Sequence, residues 1–276
     1  MLNTIIFPTD FSSNAEHALQ SAIDMVWRSQ GTLVLTHVCE PLYDFATRKE
    51  KLKSEQYQQA QNDLDKMAES IKENPGMAKL DIITDLREGT QVWGILEAAN
   101  EFNADAIVMA TKGLKGLKHM LFADITTRVI TESDIPVFTV PEMAATSGFK
   151  EIVFPTDYND DDLNMLAPLI SFADNYNAQI TVLHIGKRES LKDEIMFRGF
   201  RELISENVKY PNIGHKMLYS EDSFDEINNY MSNRQHSILA IADYRKTFLE
   251  KLTTTNFNLS NWPELLNSLP LIIVKT

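Results

Sequence analysis

The sequence predicts an α/β protein made of two tandem doubly wound domains, each on a five-stranded parallel sheet. Three observations predict it. Short apolar runs rich in β-branched residues alternate with stretches of helical periodicity. The run Ile5–Asp10 (IIFPTD) returns as Ile152–Asp157 (IVFPTD), at an offset of 147 residues. A small, polar segment with proline and glycine, Pro141–Lys150 (PEMAATSGFK), separates the copies as a linker. The domains are therefore expected at residues 1–143 and 149–276 of the 276-residue chain.

Further repeats fix the correspondence. VLTHV, ending at Val38, returns as VLHI ending at Ile185, again at 147. IPVFTV (Ile135–Val140) returns as LPLIIV (Leu269–Val274) at 134, and AIVMAT (Ala106–Thr111) matches ILAIAD (Ile238–Asp243) at 132. The second copy is thus shorter, and the loss falls between its second and fourth strands.

Within the first copy, TIIFPTD (Thr4–Asp10) is a short strand. The next stretch places Leu19, Ala22, Ile23 and Val26 at helical spacing, with Ser13 and Glu16 as a capping box and Gly31 past the end. TLVLTHV (Thr32–Val38) is continuous and β-branched, as a strand buried on both faces requires. A charged helix from about Lys49 to Asn74 carries Leu64, Met67, Ala68 and Ile71 on one stripe. Strand Leu80–Leu86 follows, then a helix with Val92, Ile95, Leu96 and Ala99 inward. Strand Asp105–Thr111, a helix from about Lys118 to Ser133 and strand Ile135–Val140 complete the copy. The second copy repeats the plan, with strands near Ile152–Pro155, Ile180–Ile185, Lys216–Tyr219, Ile238–Ala242 and Leu271–Val274.

Composition narrows the function. With 43% apolar and 24% charged residues the chain has material for a core, and no apolar run reaches the length that spans a bilayer. The first residues show neither the basic region nor the cleavage site of a leader peptide. A single cysteine, Cys39, allows no internal disulfide and reads as a small buried residue at a strand end. These features point to the cytoplasm. The net charge of −13 disfavours a nucleic-acid partner, while leaving room for a small anion held by local backbone dipoles.

In an open parallel sheet, ligands bind at the carboxyl ends of the strands where strand order reverses. If winding starts in the middle, Pro8, Thr9 and Asp10 after strand one, Val38 after strand two, and Met109, Ala110 and Gly113 after strand four face that crevice. Asp10 has two readings: acceptor for a ribose or amino group, or cap of the following turn. His37 and His184 are repeat equivalents and read as satisfied strand-end residues. No close histidine pair suggests a metal, no G-x-S-x-G elbow appears, and Asp160–Asp162 reads as a helix start.

FPTDFS at the first strand end, the tandem five-stranded halves and the glycine-bearing loop after strand four together resemble the universal stress protein (UspA-like) family, over essentially the whole chain. The resemblance implies an adenine nucleotide alpha hydrolase-like fold and a cytoplasmic stress-survival role, regulated through nucleotide occupancy or dimerisation. ATP-binding members carry G-x-x-G, nine residues, then G-[S/T]. Here those positions fall on Ala110, Gly113, Ala123 and Asp124, and the adenosine-facing ones on Pro8, Thr9, Asp10, Val38 and Met109. The spacing is kept but one glycine of three remains. Alanines add methyl groups where backbone approaches phosphate. Asp124 sets a like charge beside it: two unit charges about 4 Å apart repel by about 4 kcal/mol at an effective dielectric near 20, unless magnesium bridges them. AMP or ADP is therefore expected to fit better than ATP. The second copy keeps Asp157 but has Ala242 and Arg245 where glycines are wanted, and reads as nonbinding. The alternative to a nucleotide-binding regulator is an interaction and dimerisation scaffold with vestigial sites, the halves forming an intramolecular pseudo-dimer and a homodimer remaining open. A slow ATPase ranks last, because no base or nucleophile is set for catalysis.

Overall fold

The computed structural model describes residues 2–40, 49–111, 125–159, 161–243 and 269–275. The chain divides into two compact units, the change falling between Phe138 and Thr139. The first holds β1 (Thr4–Pro8), α1 (Ser13–Ser29), β2 (Thr32–Cys39), α2 (Lys49–Glu73), β3 (Asp81–Glu88), α3 (Gln91–Glu101), β4 (Ala106–Thr111) and α4 (Ile125–Glu132), leading into β5 (Val137–Pro141). Its strands lie in the order β3-β2-β1-β4-β5. The second holds β6 (Glu151–Pro155), α5 (Asp162–Tyr176), β7 (Gln179–Gly186), α6 (Leu191–Asn207), β8 (Ile213–Tyr219), α7 (Ser223–Ser232), β9 (Ser237–Asp243) and β10 (Leu271–Lys275), in the matching order β10-β9-β6-β7-β8. The doubly wound α/β architecture predicted from the repeat is therefore present twice.

The central strands are buried as their apolar runs require. Ile5, Ile6 and Phe7 of β1, Leu33, Val34 and Leu35 of β2, and Ile107 and Val108 of β4 are fully enclosed; so are Ile152, Val153 and Phe154 of β6. Helices sit on both faces, so these strands need no polar alternation. The edge strands β3 and β8 contain no fully buried residue. Leu19, Ala22, Ile23 and Val26 of α1 and Leu64 and Ile71 of α2 point inward as their spacing predicts. In α3 the inward set is Val92, Ile95, Ala98 and Ala99, while Leu96 is only half-buried because the stripe is one residue out of phase with the contact.

Two caps differ from expectation. The N-cap of α1 is Ser12, whose hydroxyl accepts from the Ala15 N–H, and not Ser13. At the other end Gln30, not Gly31, takes the left-handed conformation at φ 56°, and its N–H reaches the Val26 carbonyl. Asn177 does the same in the second unit at φ 50°. A polar residue at an exposed helix end accepts left-handed strain of about 1 kcal/mol when the cap bonds offset it. The second unit begins α5 at Asp162, whose fully buried carboxylate accepts from the Thr156 hydroxyl (2.5 Å) and the Asn159 N–H (3.1 Å).

The approach of α3 to β2 depends on Gly94. A Cβ there would lie 2.7 Å and 2.9 Å from the two methyl groups of Val38, a β-branched side chain with little freedom to move. We expect Gly94→Val to lose about 2 kcal/mol of stability in urea titration through this overlap, and Val38→Ala in the same chain to recover part of the loss. An unchanged Gly94→Val midpoint would show that the helix simply shifts.

Candidate functional site

Strand order reverses at β1, which pairs in parallel with β2 on one side and β4 on the other. Right-handed crossovers carry the helices to opposite faces, and in such sheets ligands bind at the carboxyl ends of the strands flanking this point, here β1 and β4. The register runs Ile5 to Ala106 and Ile6 to Ile107, and Pro8 and Met109 each follow it by two residues toward the carboxyl ends of the two strands. Proline has no N–H to extend the ladder. Thr9 resumes it, donating its N–H to the Thr36 carbonyl at 2.9 Å. Thr9, Val38 and Met109 are buried, Pro8 and Ala110 half-buried, and Asp10 exposed. These residues are thus gathered at adjoining strand ends. Gly113, Ala123 and Asp124 lie outside the described residues.

The turn leaving β1 is held by local bonds. The Thr9 hydroxyl accepts from the Phe11 N–H (3.0 Å) and an Asp10 carboxylate oxygen accepts from the Ser12 N–H (3.0 Å). Asp10 therefore caps a turn, one of its two sequence readings. Phe11 is left-handed at φ 59° and lays its ring 4.7 Å from that of His37. His37 places Nδ1 2.7 Å from the Thr9 carbonyl. A carbonyl can only accept, so this contact puts a proton on Nδ1 and fixes the imidazole. The strand-end histidine is satisfied, as expected, and the bond pins the Thr9 peptide at the crevice rim. The hydroxyl of Thr126, buried in the first turn of α4, lies 3.5 Å from the Ala110 carbonyl.

The second unit repeats the device at the same offset. His184 Nδ1 meets the Thr156 carbonyl at 2.8 Å, the Tyr158 N–H donates to the Thr156 hydroxyl, and Tyr158 is left-handed at φ 60°. Its ring stacks on His184 at 4.3 Å and meets Phe200 of α6 edge-on at 5.5 Å. Burial together with Asp193, Tyr219 and Asp157 nearby pushes its hydroxyl pKa far up. Gly186 is hemmed in by Asp193 and Tyr219. The aromatic turn residues Phe11 and Tyr158 escaped the sequence reading; their signal was a pair of aromatics at the repeat offset.

Other chemistry is sparse. Cys39 is buried, and burial with nearby Glu88 raises its thiol pKa, which disfavours the thiolate. No group of three or more His, Cys, Asp or Glu side chains among the described residues is placed to hold a metal ion. No described helix is long and apolar enough to cross a membrane. A hollow of about 590 Å³ between α1 and α2 includes Phe11, Leu19, Met67 and Ile71 but none of the strand-end residues named above.

The model of the Universal stress protein family matches residues 1–141. The chain belongs to this family. A universal stress protein of Synechocystis sp. (strain PCC 6803) is 33% identical over 144 residues, covering 51% of this chain and 87% of that protein. One from Methanocaldococcus jannaschii is 29% identical over 143 residues, 49% of this chain and 80% of that one. Across the whole length the chain is similar to the crystal structure of a universal stress protein from Archaeoglobus fulgidus, with TM-score 0.70, 14% identity and coverage of 100% and 99%. That likeness is one of fold, over both tandem halves.

Asp157 offers a test of the second unit's strand end. Burial raises its pKa, and the charge of His184, 3.9 Å away, partly opposes the shift. The folded state then holds the proton above pH 3.8, where the unfolded chain has lost it. The cost of the buried carboxylate is present at neutral pH and fades as pH falls through the raised folded pKa. Asp157→Asn is expected to match or exceed the parent in urea stability at pH 7, with that advantage shrinking on acidification toward the unfolded value. A variant less stable at pH 7 would overturn this account.

Proposed function

We propose that this chain is a cytoplasmic stress-response regulator that binds an adenosine nucleotide in its first unit and does not turn it over. The observation that carries the reading is the reversal of strand order at β1, which puts the strand ends bearing Pro8 and Met109 on neighbouring strands, with the Thr9 peptide pinned by His37. That arrangement supplies an apolar rim and fixed backbone groups for an adenosine moiety. On the side of the phosphates, Ala110 and Ala123 stand where the family's ATP-binding pattern has glycine, and Asp124 adds a negative charge. AMP or ADP is accordingly favoured over ATP in the absence of magnesium. The raised pKa of the buried Cys39 thiol, which disfavours the thiolate, supports binding over catalysis.

Calorimetry with AMP, ADP and ATP, each with and without magnesium, tests this reading. Without magnesium, AMP and ADP are expected to bind more tightly than ATP. Asp124→Ser should strengthen ATP by about tenfold or more, the equivalent of about 1.4 kcal/mol. Gly113→Val should weaken all three. Absence of heat with every nucleotide would instead favour an interaction scaffold, the reading supported by the use of the Asp10 carboxylate within its own turn.

A further inference from the structure

At the amino ends of β6, β7 and β8, the end of the sheet away from Asp157, the second unit has a hollow of about 620 Å³. Glu151, Gln179, Lys216, Tyr230, Arg234 and His236 bound it. Glu151 is the one acid among its lining residues, and its carboxylate is fully engaged. It accepts from the hydroxyls of Thr181 (2.6 Å) and Ser237 (3.0 Å), with the Tyr230 hydroxyl at 3.4 Å, and pairs with Arg234 Nε at 3.2 Å. Arg234 also donates to the Tyr230 carbonyl at 2.6 Å, answering the negative end of α7, and lies 3.8 Å over the Tyr230 ring.

Lys216 is different. The residue is half-buried, its ammonium 4.7 Å from the centre of the Tyr230 ring, with no described carboxylate in ion-pair range. Lys150 adds a further cation at the rim.

The internal repeat supplies the comparison. Thr36 faces Asp85, and its equivalent Leu183 faces Lys216, so Asp85 and Lys216 occupy the same place in the two units. Asn3 and Lys150 likewise accept equivalent backbone bonds, from Thr32 and Gln179. By the repeat offsets, Thr4 corresponds to Glu151, Phe102 to Arg234 and Asp105 to Ser237. These five positions carry two acids and no base in the first unit, but three bases and one acid in the second. In the first unit both acids have structural work: Asp85 pairs with Arg87 at 2.6 Å, and Asp105 accepts from the Asn3 and Thr4 N–H groups. The charge has been inverted at one sheet end of a chain whose net charge is −13.

We propose that this hollow binds a small phosphate-bearing anion, held by Lys216 and Lys150 over the Arg234–Glu151 pair. Three cationic groups around one neutralised carboxylate suit a dianion better than a singly charged carboxylate. Free orthophosphate and a small phosphomonoester share that chemistry.

Amide NMR titration of the full chain, at constant ionic strength set with chloride, tests the proposal with orthophosphate in one arm and glycerol 3-phosphate in the other. Saturable shifts are expected at Glu151, Gly214–Met217 and Arg234–Ser237, with affinity reduced about tenfold or more by Lys216→Gln. The exposed Lys150→Gln, which touches no packing, is expected to weaken binding in the same sense if Lys216→Gln disturbs the fold. Tighter binding of the ester assigns an organic phosphate; equal or tighter orthophosphate assigns the free ion. No saturable shift at those amides up to about 10 mM of either probe, beyond the millimolar range of weak specific sites, overturns the proposal. So do shifts that both variants leave unchanged. Nucleotide binding at the carboxyl ends of β1 and β4 moves different amides, so the two sites fail or succeed separately.

Discussion

Everything distinctive about the first unit follows from β1 pairing with both β2 and β4. A parallel strand flanked by its sequence neighbour on one side and a distant strand on the other must send its two crossovers over opposite faces of the sheet. The helices leave the sheet on opposite faces there, the arrangement that places ligands at the carboxyl ends of such strands. Two consequences travel together. Buried on both faces, the strand has to be apolar along its length, as Ile5, Ile6 and Phe7 are. Its last residues must satisfy their polar groups without a ladder partner, which is what the Thr9–His37 bond and the Thr9 and Asp10 turn bonds accomplish.

The turn shows how much of that solution is backbone and how much is side chain. Both units place a left-handed aromatic after Thr-Asp, and both lean it on a histidine whose Nδ1 proton is fixed by the threonine carbonyl. A left-handed phenylalanine or tyrosine costs about 1–2 kcal/mol, so surrounding contacts must over-determine it. What differs is the occupant beyond the turn. Tyr158 is wedged between His184 and Phe200, where α6 supplies a ring; Phe11 instead borders the hollow between α1 and α2. The same strained backbone therefore serves an enclosed aromatic cluster in one unit and a more open rim in the other.

The strands and most helices were legible because the constraint that makes them is written along the chain. A doubly covered strand is a continuous apolar run, and a helix on its surface is a 3.6-residue stripe. The repeat showed that both halves share one plan, while the strand order was only a condition (winding from the middle) until the structure gave it. Caps were harder. Ser12 and Ser13 are both competent N-caps, and the choice is made by where the turn from Asp10 releases the chain. Gly31 drew the eye at the helix end, yet Gln30 takes the left-handed place, because cap bonds outweighed a modest backbone penalty. Of the candidate site, the sequence pattern put Pro8, Thr9, Asp10, Val38, Met109 and Ala110 at strand ends, and that is where the described structure has them. The aromatic turn and the cationic hollow were not legible, since each requires knowing which residues lie opposite one another across strands that are far apart in sequence.

Charge at the rim is freer to change than volume in the core. Replacing an acid by a base at the amino end of β8 leaves the buried positions of β6 and β7 untouched, provided the pairings that held the acid are also removed. Asp85 is held by Arg87, which also pairs with Glu101 at 2.7 Å, so a bare substitution at that place would leave a half-buried guanidinium one carboxylate short. In the second unit the residue corresponding to Arg87 by strand register is Leu218, and no such obligation exists. Lys216 has an apolar residue, Leu218, where Asp85 has Arg87, and Arg234 is received by Glu151. The cationic hollow is in this sense a coordinated set of changes rather than a stray lysine, and that coordination is the physical reason to look for a ligand in it.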